Sequence, residues 1–220
     1  MKTLKVTGKG TLRLAPDTTR ITLSLEGTFP DYDAMLERSA QSSEQLRALL
    51  QGLDFAPSAL KTLAFNVNTE YESVHENGVY RQRFVGYHFC HTMKLEFPSD
   101  NKRLGRVLFA LANCPAKPEF QLSYTVGDPE AAKNALLARA VADAREKAQV
   151  LAKAADAGLG SLQSMDYSWG EIDLEVRPMN RMMLAGGSAK ASAEADAFAL
   201  DLEPDDIVVS DTVTLVWEIL

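Results

Sequence analysis

Two histidines and a cysteine fall within four positions in the stretch YHFCHTM, Tyr87 to Met93. His88, Cys90 and His91 are all donors that suit zinc or another borderline-soft ion, so their spacing raises the prospect of a metal site. A closed zinc site needs four ligands and a catalytic one three. The strand periodicity around the cluster divides it. In extended chain, successive side chains point to opposite faces. Tyr87, Phe89, His91, Met93, Leu95 and Phe97 then share one face, while His88, Cys90, Thr92, Lys94 and Glu96 share the other. Only His75, Cys114 and Glu96 remain to complete a set. The expectation is therefore no metal, with His91 turned to the core and held there by a hydrogen bond. Cys90 and Cys114 read as two reduced thiols, too few for a disulfide framework.

Three other motifs carry chemistry elsewhere. Ser58-Ala59-Leu60-Lys61 fits S-x-x-K and Ser99-Asp100-Asn101 fits S-D-N, which together evoke a serine acyl-enzyme. The K-T-G element is missing, because Lys61-Thr62-Leu63 lacks the glycine. Ser58 lies in a turn after Pro57, and Ser99-Asp100 is explained as a helix cap. Gly8-Lys9-Gly10 lacks the third glycine of a dinucleotide loop and leads into strand rather than helix. No nucleophile elbow and no distinctive carboxylate pair is present. The expected site inventory is empty: no catalytic residue, no cofactor-binding residue, no metal ligand and no cofactor.

The elements that would position these groups follow from periodicity. Leu4 to Leu14 alternates, with Leu4, Val6, Leu12 and Leu14 on one face and Lys5, Thr7, Lys9, Thr11 and Arg13 on the other. Gly8 and Gly10 lie on the apolar side and suggest a bulge or a close crossing. Ala15-Pro16-Asp17 turns into a second strand carrying Ile21, Leu23 and Leu25, and the two strands read as a hairpin. A helix to about Leu53 has the stripe Leu36, Ala40, Leu46, Leu49, Leu50 and Leu53. Two long strands, about 60–74 and 79–97, are joined by Glu76-Asn77-Gly78, a strong hairpin signal. A second helix starts at the Asp100 cap, with Leu104, Val107, Leu108 and Leu111 on its apolar side. A strand spans 119–126.

The longest helix opens with Asp128-Pro129-Glu130, a cap, a proline at the first helical position and an acid at the positive dipole end. Its expected stripe is Leu137, Val141, Ala144, Ala148, Leu151 and Ala155, closed by Gly158. Arg139, Asp143 and Lys147 stand four apart and can pair. Strands at about 162–172 and 208–220 complete the order ββαββαβαββ. The fold class is α+β, with a mixed, largely antiparallel sheet and helices packed on one face.

The chain has 220 residues, 46% of them hydrophobic, which suits a single domain over 1–220. Net charge is -7, and the pI is about 5.1. That balance argues against nucleic acid, which needs a basic face. From Asp173 to Asp211 nine acids meet three bases, a net of -6, so the acidity belongs to the C-terminal third. The segment from about 176 to 206 reads as a mobile or partner-ordered insertion. No apolar core follows Met1-Lys2-Thr3, and no window approaches the roughly 18 apolar residues needed to span a bilayer. The expectation is a cytoplasmic protein without a transmembrane segment.

Several stretches resemble the SIMPL-domain (YggE-like) family, a family of largely unknown function. They are Val6-Thr7-Gly8-Lys9-Gly10, Ala15-Pro16-Asp17 with Ile21-Thr22-Leu23, Gly86-Tyr87 with the alternation through Leu95, and most specifically Gly127 to Leu162. The resemblance implies one α+β domain and self-assembly into ring-like or hollow oligomers. Relatives are linked to stress tolerance, and the eukaryotic namesake to a signalling kinase. Many bacterial relatives are exported. The resemblance carries over no catalytic residue. The expected function is a non-enzymatic oligomeric scaffold or protein-interaction domain. The alternative is an enzyme or small-ligand binder with its site in an inter-subunit groove.

Overall fold

The computed structural model describes residues 2–76, 79–167, 172–177 and 202–220. Along these residues the elements are β1 Thr3–Leu14, β2 Thr18–Phe29, α1 Tyr32–Gln51, β3 Leu60–Glu76, β4 Val79–Pro98, α2 Asn101–Ala112, β5 Glu119–Thr125, α3 Pro129–Ala154, β6 Leu159–Asp166, β7 Glu175–Val176 and β8 Ile207–Ile219. The α+β class is as expected. The strands form two antiparallel sheets rather than one, and the chain divides into two compact units. Most of the proposed insertion, 178–201, lies outside the described residues.

The unit built from residues 18–124 holds strands in the order β3-β4-β2-β5. Alternation selects its core. Ile21, Leu23 and Leu25 of β2 and Phe89, Met93, Leu95 and Phe97 of β4 point the same way and are buried with Met35, Leu46 and Leu50 of α1 and Leu104, Val107 and Leu111 of α2. Each such side chain contributes about 1.5–3 kcal/mol by leaving water. The buried seam of α1 is Met35, Ser39, Leu46 and Leu50, which corrects the expected stripe: Leu36 is exposed. Asp100 caps α2 as expected, its carboxylate accepting from the Lys102 and Arg103 amides at 2.8 and 3.2 Å.

In the other unit the order is β1-β8-β6, with α3 across one face. The expected β1–β2 hairpin does not form. β1 pairs with β8 from Thr3↔Glu218 to Leu14↔Ile207, and β2 pairs with β4. The Ala15-Pro16-Asp17 turn has a different job: the Asp17 carboxylate accepts the Gly127 amide at 2.7 Å, and the Asp17 amide donates to the Thr125 carbonyl at 3.2 Å.

The α3 seam also differs from expectation. Every fourth residue is buried, Ala132, Leu136, Ala140, Ala144, Ala148 and Ala152, while Leu151 is 49% exposed and Ala155 caps the helix. The reason is distance. A Cβ on Gly8 would lie 2.1 Å from the Ala140 carbonyl, and one on Gly10 would lie 2.2 Å from the Leu136 carbonyl. β1 and α3 approach backbone to backbone, so only glycine fits on the strand and mostly alanine on the helix. Larger Leu137 and Val141 flank the seam. The helix ends through Asp156 at φ 51, not Gly158, whose amide instead pairs with the Leu220 carbonyl at 3.1 Å.

That approach also protects an edge strand. The Lys9 amide donates to the Asp143 carboxylate at 2.7 Å, and the Arg139 guanidinium donates to the Thr11 carbonyl at 2.9 Å. Unpaired edge groups invite strand addition, and α3 occupies these two. Lys147 pairs with Asp143 at 2.7 Å as expected, whereas Arg139 serves β1 instead. The Lys147 hydrogen bond, then the Lys9 amide, hold the Asp143 carboxyl below its usual range.

Candidate functional site

The strand faces around YHFCHTM fall as their alternation requires. Phe89, Met93, Leu95 and Phe97 are buried on the helix side, and His91 stands among them with partial exposure. Its Nδ1 lies 3.0 Å from Ser43 Oγ of α1 and its Nε2 lies 2.9 Å from Thr62 Oγ1 of β3. Both ring nitrogens are therefore occupied, and Phe65 packs edge-on against the ring at 5.3 Å. On the other face His88 Nδ1 meets Thr28 Oγ1 at 3.0 Å, and the Cys90 thiol donates to Glu26 at 3.4 Å. His75 lies far along β3 beside Tyr80, and Cys114 is buried just after α2. Among the described residues no three His, Cys, Asp or Glu side chains converge as metal ligands would.

The remaining motif residues are equally dispersed. Ser58 sits in the turn before β3, and Ser99 Oγ lies 3.3 Å from Thr19 Oγ1. The Lys9 amide, at the centre of Gly8-Lys9-Gly10, is bound to Asp143 and not available to a phosphate.

His91 still makes a measurable contribution. Burial, and then the positive charge of Arg47, hold it below the usual histidine range near 6.5. A lowered folded pKa means that the unfolded chain binds the proton more readily. The resulting stability is fully present above about pH 6.5 and is lost as pH falls from there through the folded pKa. The urea midpoint is expected to drop as pH falls below about 6.5, and His91→Gln, which keeps a hydrogen-bonding side chain, is expected to flatten that drop. An unchanged pH profile in the variant would assign the loss to other groups. Glu96 acts lower in the pH range: burial raises its pKa, but hydrogen bonds from Lys94 and Arg20 outweigh burial and leave it lowered.

The feature that stands apart chemically is an arm. Pairing between β2 and β4 ends at Phe29↔Tyr87, but β3 and β4 continue together from Glu70↔Gly86 to Glu76↔Val79. This ribbon extends past the rest of its sheet. Its two sides differ. Tyr71 opposes Phe84 and His75 opposes Tyr80 on one side. Their rings touch in pairs, Tyr71–Phe84 at 5.6 Å and His75–Tyr80 at 4.8 Å. Phe84 also meets Tyr87 at 5.4 Å, and Tyr87 meets Tyr32 at 5.2 Å, so the aromatic row continues back to the start of α1. Yet Tyr71 is 55%, Phe84 43% and Tyr80 76% exposed. The reverse side carries Glu72 paired with Arg83, then Val74 opposite Arg81. Thr28 donates to Glu70 at 2.6 Å and fixes the base.

A shift in register permits this geometry. It falls between Glu70 and Tyr71, next to Gly86 at φ 159. A Cβ on Gly86 would lie 2.3 Å from the Phe29 carbonyl, so glycine lets β2 end tightly against β4 where the arm departs. β3 is an edge strand of its sheet, with β4 as its one neighbour in the strand order. Sequence reasoning located the hairpin but missed its sidedness. The signal was present in Tyr71, Tyr80, Phe84 and Tyr87, four aromatic residues flanking Asn77-Gly78.

No helix among the described residues is long and apolar enough to cross a membrane. The family model for SIMPL, described as a protein of unknown function (DUF541), matches residues 4–217. No curated protein matches the chain.

Proposed function

The chain belongs to the SIMPL family, and on that premise we propose that it is a non-enzymatic, self-associating interaction protein whose β3–β4 arm makes the contact. The observation that carries this reading is the arm's exposed aromatic face. A lone two-stranded ribbon is marginally stable in water, and exposed apolar patches mark interaction surfaces; on the arm the hydrogen-bonded Ser73–Gln82 pair stands between the two ring pairs. Tyr and Trp dominate interface energetics because they bury a large area at small entropic cost.

A second copy of the chain is the occupant that the arm's chemistry favours. The outer edge of β3 offers unpaired backbone groups along a strand of 17 residues. Two such edges can pair about a two-fold axis, each presenting the same surface to the other. A role in stress tolerance, as in relatives, would rest on the assembled form.

Static light scattering across a dilution series tests the reading. The expected result is a mass above that of the 24.1 kDa chain at micromolar concentration that falls on dilution or stays high if association is tight. A monomer mass throughout would remove the reading's main support.

A further inference from the structure

A cavity of about 360 Å³ lies where the end of α1 meets α2, lined by Leu53, Asp54, Asp100, Arg103, Arg106 and Val107. It is separate from the arm and from the histidine cluster, and its size falls in the range of small-molecule sites. Its charged groups are not equivalent. Arg103 is held in place: its guanidinium lies over Phe55 at 4.2 Å and near Phe97 at 5.7 Å, and it donates to the Asp54 carbonyl at 3.5 Å. That leaves most of its donors unspent. Arg106 stands one helical turn away and is exposed, with no ion pair or hydrogen bond to a described residue. Asp100 is committed to the α2 cap. The Asp54 carboxylate is not committed, and Asp54 sits at φ 61, in the left-handed region that Asp and Asn tolerate best.

The lining therefore offers two guanidinium groups, one free carboxylate and one half-buried apolar side chain, Leu53, while Val107 is fully buried in the core. A guanidinium recognises a carboxylate through two parallel donors. A dianion such as phosphate would meet the aspartates as well. A ligand with both a carboxylate and an ammonium satisfies the whole set. We propose that this cavity binds a small zwitterion of the α-amino-acid type, with Arg103 and Arg106 on the carboxylate, Asp54 on the ammonium and an aliphatic side chain against Leu53.

Calorimetric titration of the full chain with three probes tests this. They are L-leucine, L-leucine amide, which lacks the carboxylate, and 4-methylpentanoate, which lacks the ammonium. L-Leucine is expected to bind, with each truncated probe roughly tenfold or more weaker, the scale of one lost charge-assisted hydrogen bond. Arg106→Gln removes a side chain that holds nothing in place and is expected to weaken L-leucine by a similar factor. Asp54→Asn, which keeps the left-handed turn, is expected to erase the preference for L-leucine over 4-methylpentanoate. Absence of L-leucine binding would overturn the proposal. So would equal binding of all three probes, or unchanged affinity in Arg106→Gln.

Discussion

Replacing Gly8 by alanine is expected to cost about 3 kcal/mol, the upper end of what an overpacked methyl costs in a rigid core. The added Cβ would stand 2.1 Å from the Ala140 carbonyl oxygen, 2.4 Å from the Ala144 amide nitrogen and 2.6 Å from the Ala144 Cβ. Two of those three atoms are backbone, so no rotamer change relieves the clash. Either β1 withdraws from α3 or the helix shifts. Either movement also loosens the bonds from Lys9 to Asp143 and from Arg139 to Thr11. For a chain of this length the melting temperature is expected to fall by roughly 6–12 °C. Gly52→Ala is the control. Gly52 has φ -63 at the end of α1, and its added Cβ would meet nothing closer than 3.3 Å. Its melting temperature is expected to stay within about 2–3 °C of wild type. Equal melting curves for Gly8→Ala and wild type would refute the close crossing.

The second large effect concerns the arm. Tyr71→Ser with Phe84→Ser removes the pair of rings at the centre of its aromatic row. Buried aromatic anchors at an interface are commonly worth 2 kcal/mol or more each. Losing both is expected to weaken self-association about a hundredfold to a thousandfold. Folding stability should change little, because both side chains are half exposed in the isolated chain and surface substitutions usually fall within about 0.5 kcal/mol. This asymmetry separates an interface role from a core role. A large drop in melting temperature with association intact would point to core packing.

How much of this was legible in the sequence depended on the range of the interaction. Strand alternation placed the histidines and Cys90 on their faces, because a period of two is a local property of extended chain. The Asp100 and Asp128 caps were legible for the same reason: a side-chain oxygen two or three residues from a free amide needs no tertiary information. Strand pairing was not legible. Ala15-Pro16-Asp17 reads as a hairpin turn, but β1 pairs with β8 about 200 residues away, and nothing near Asp17 reports that Gly127 competes for its carboxylate. The α3 seam failed for a related reason. Hydrophobicity ranks Leu137, Val141 and Leu151 above alanine, whereas the close approach of a glycine strand reverses that order. Gly8 and Gly10 on an apolar face were the one local hint of a close crossing. The arm lay between these cases. Its hairpin was visible, but its exposure depends on β2 stopping at Phe29. The cavity at Arg103 joins α2 and its cap to the turn after α1, and no spacing in the sequence connects them.

Sedimentation velocity of the wild-type chain beside the Tyr71→Ser, Phe84→Ser variant, both at micromolar concentration, tests the arm most directly. Wild type is expected to sediment as an oligomer, and the variant as a folded 24.1 kDa monomer. Identical distributions for the two proteins, whether both assembled or both monomeric, would contradict assembly through the arm.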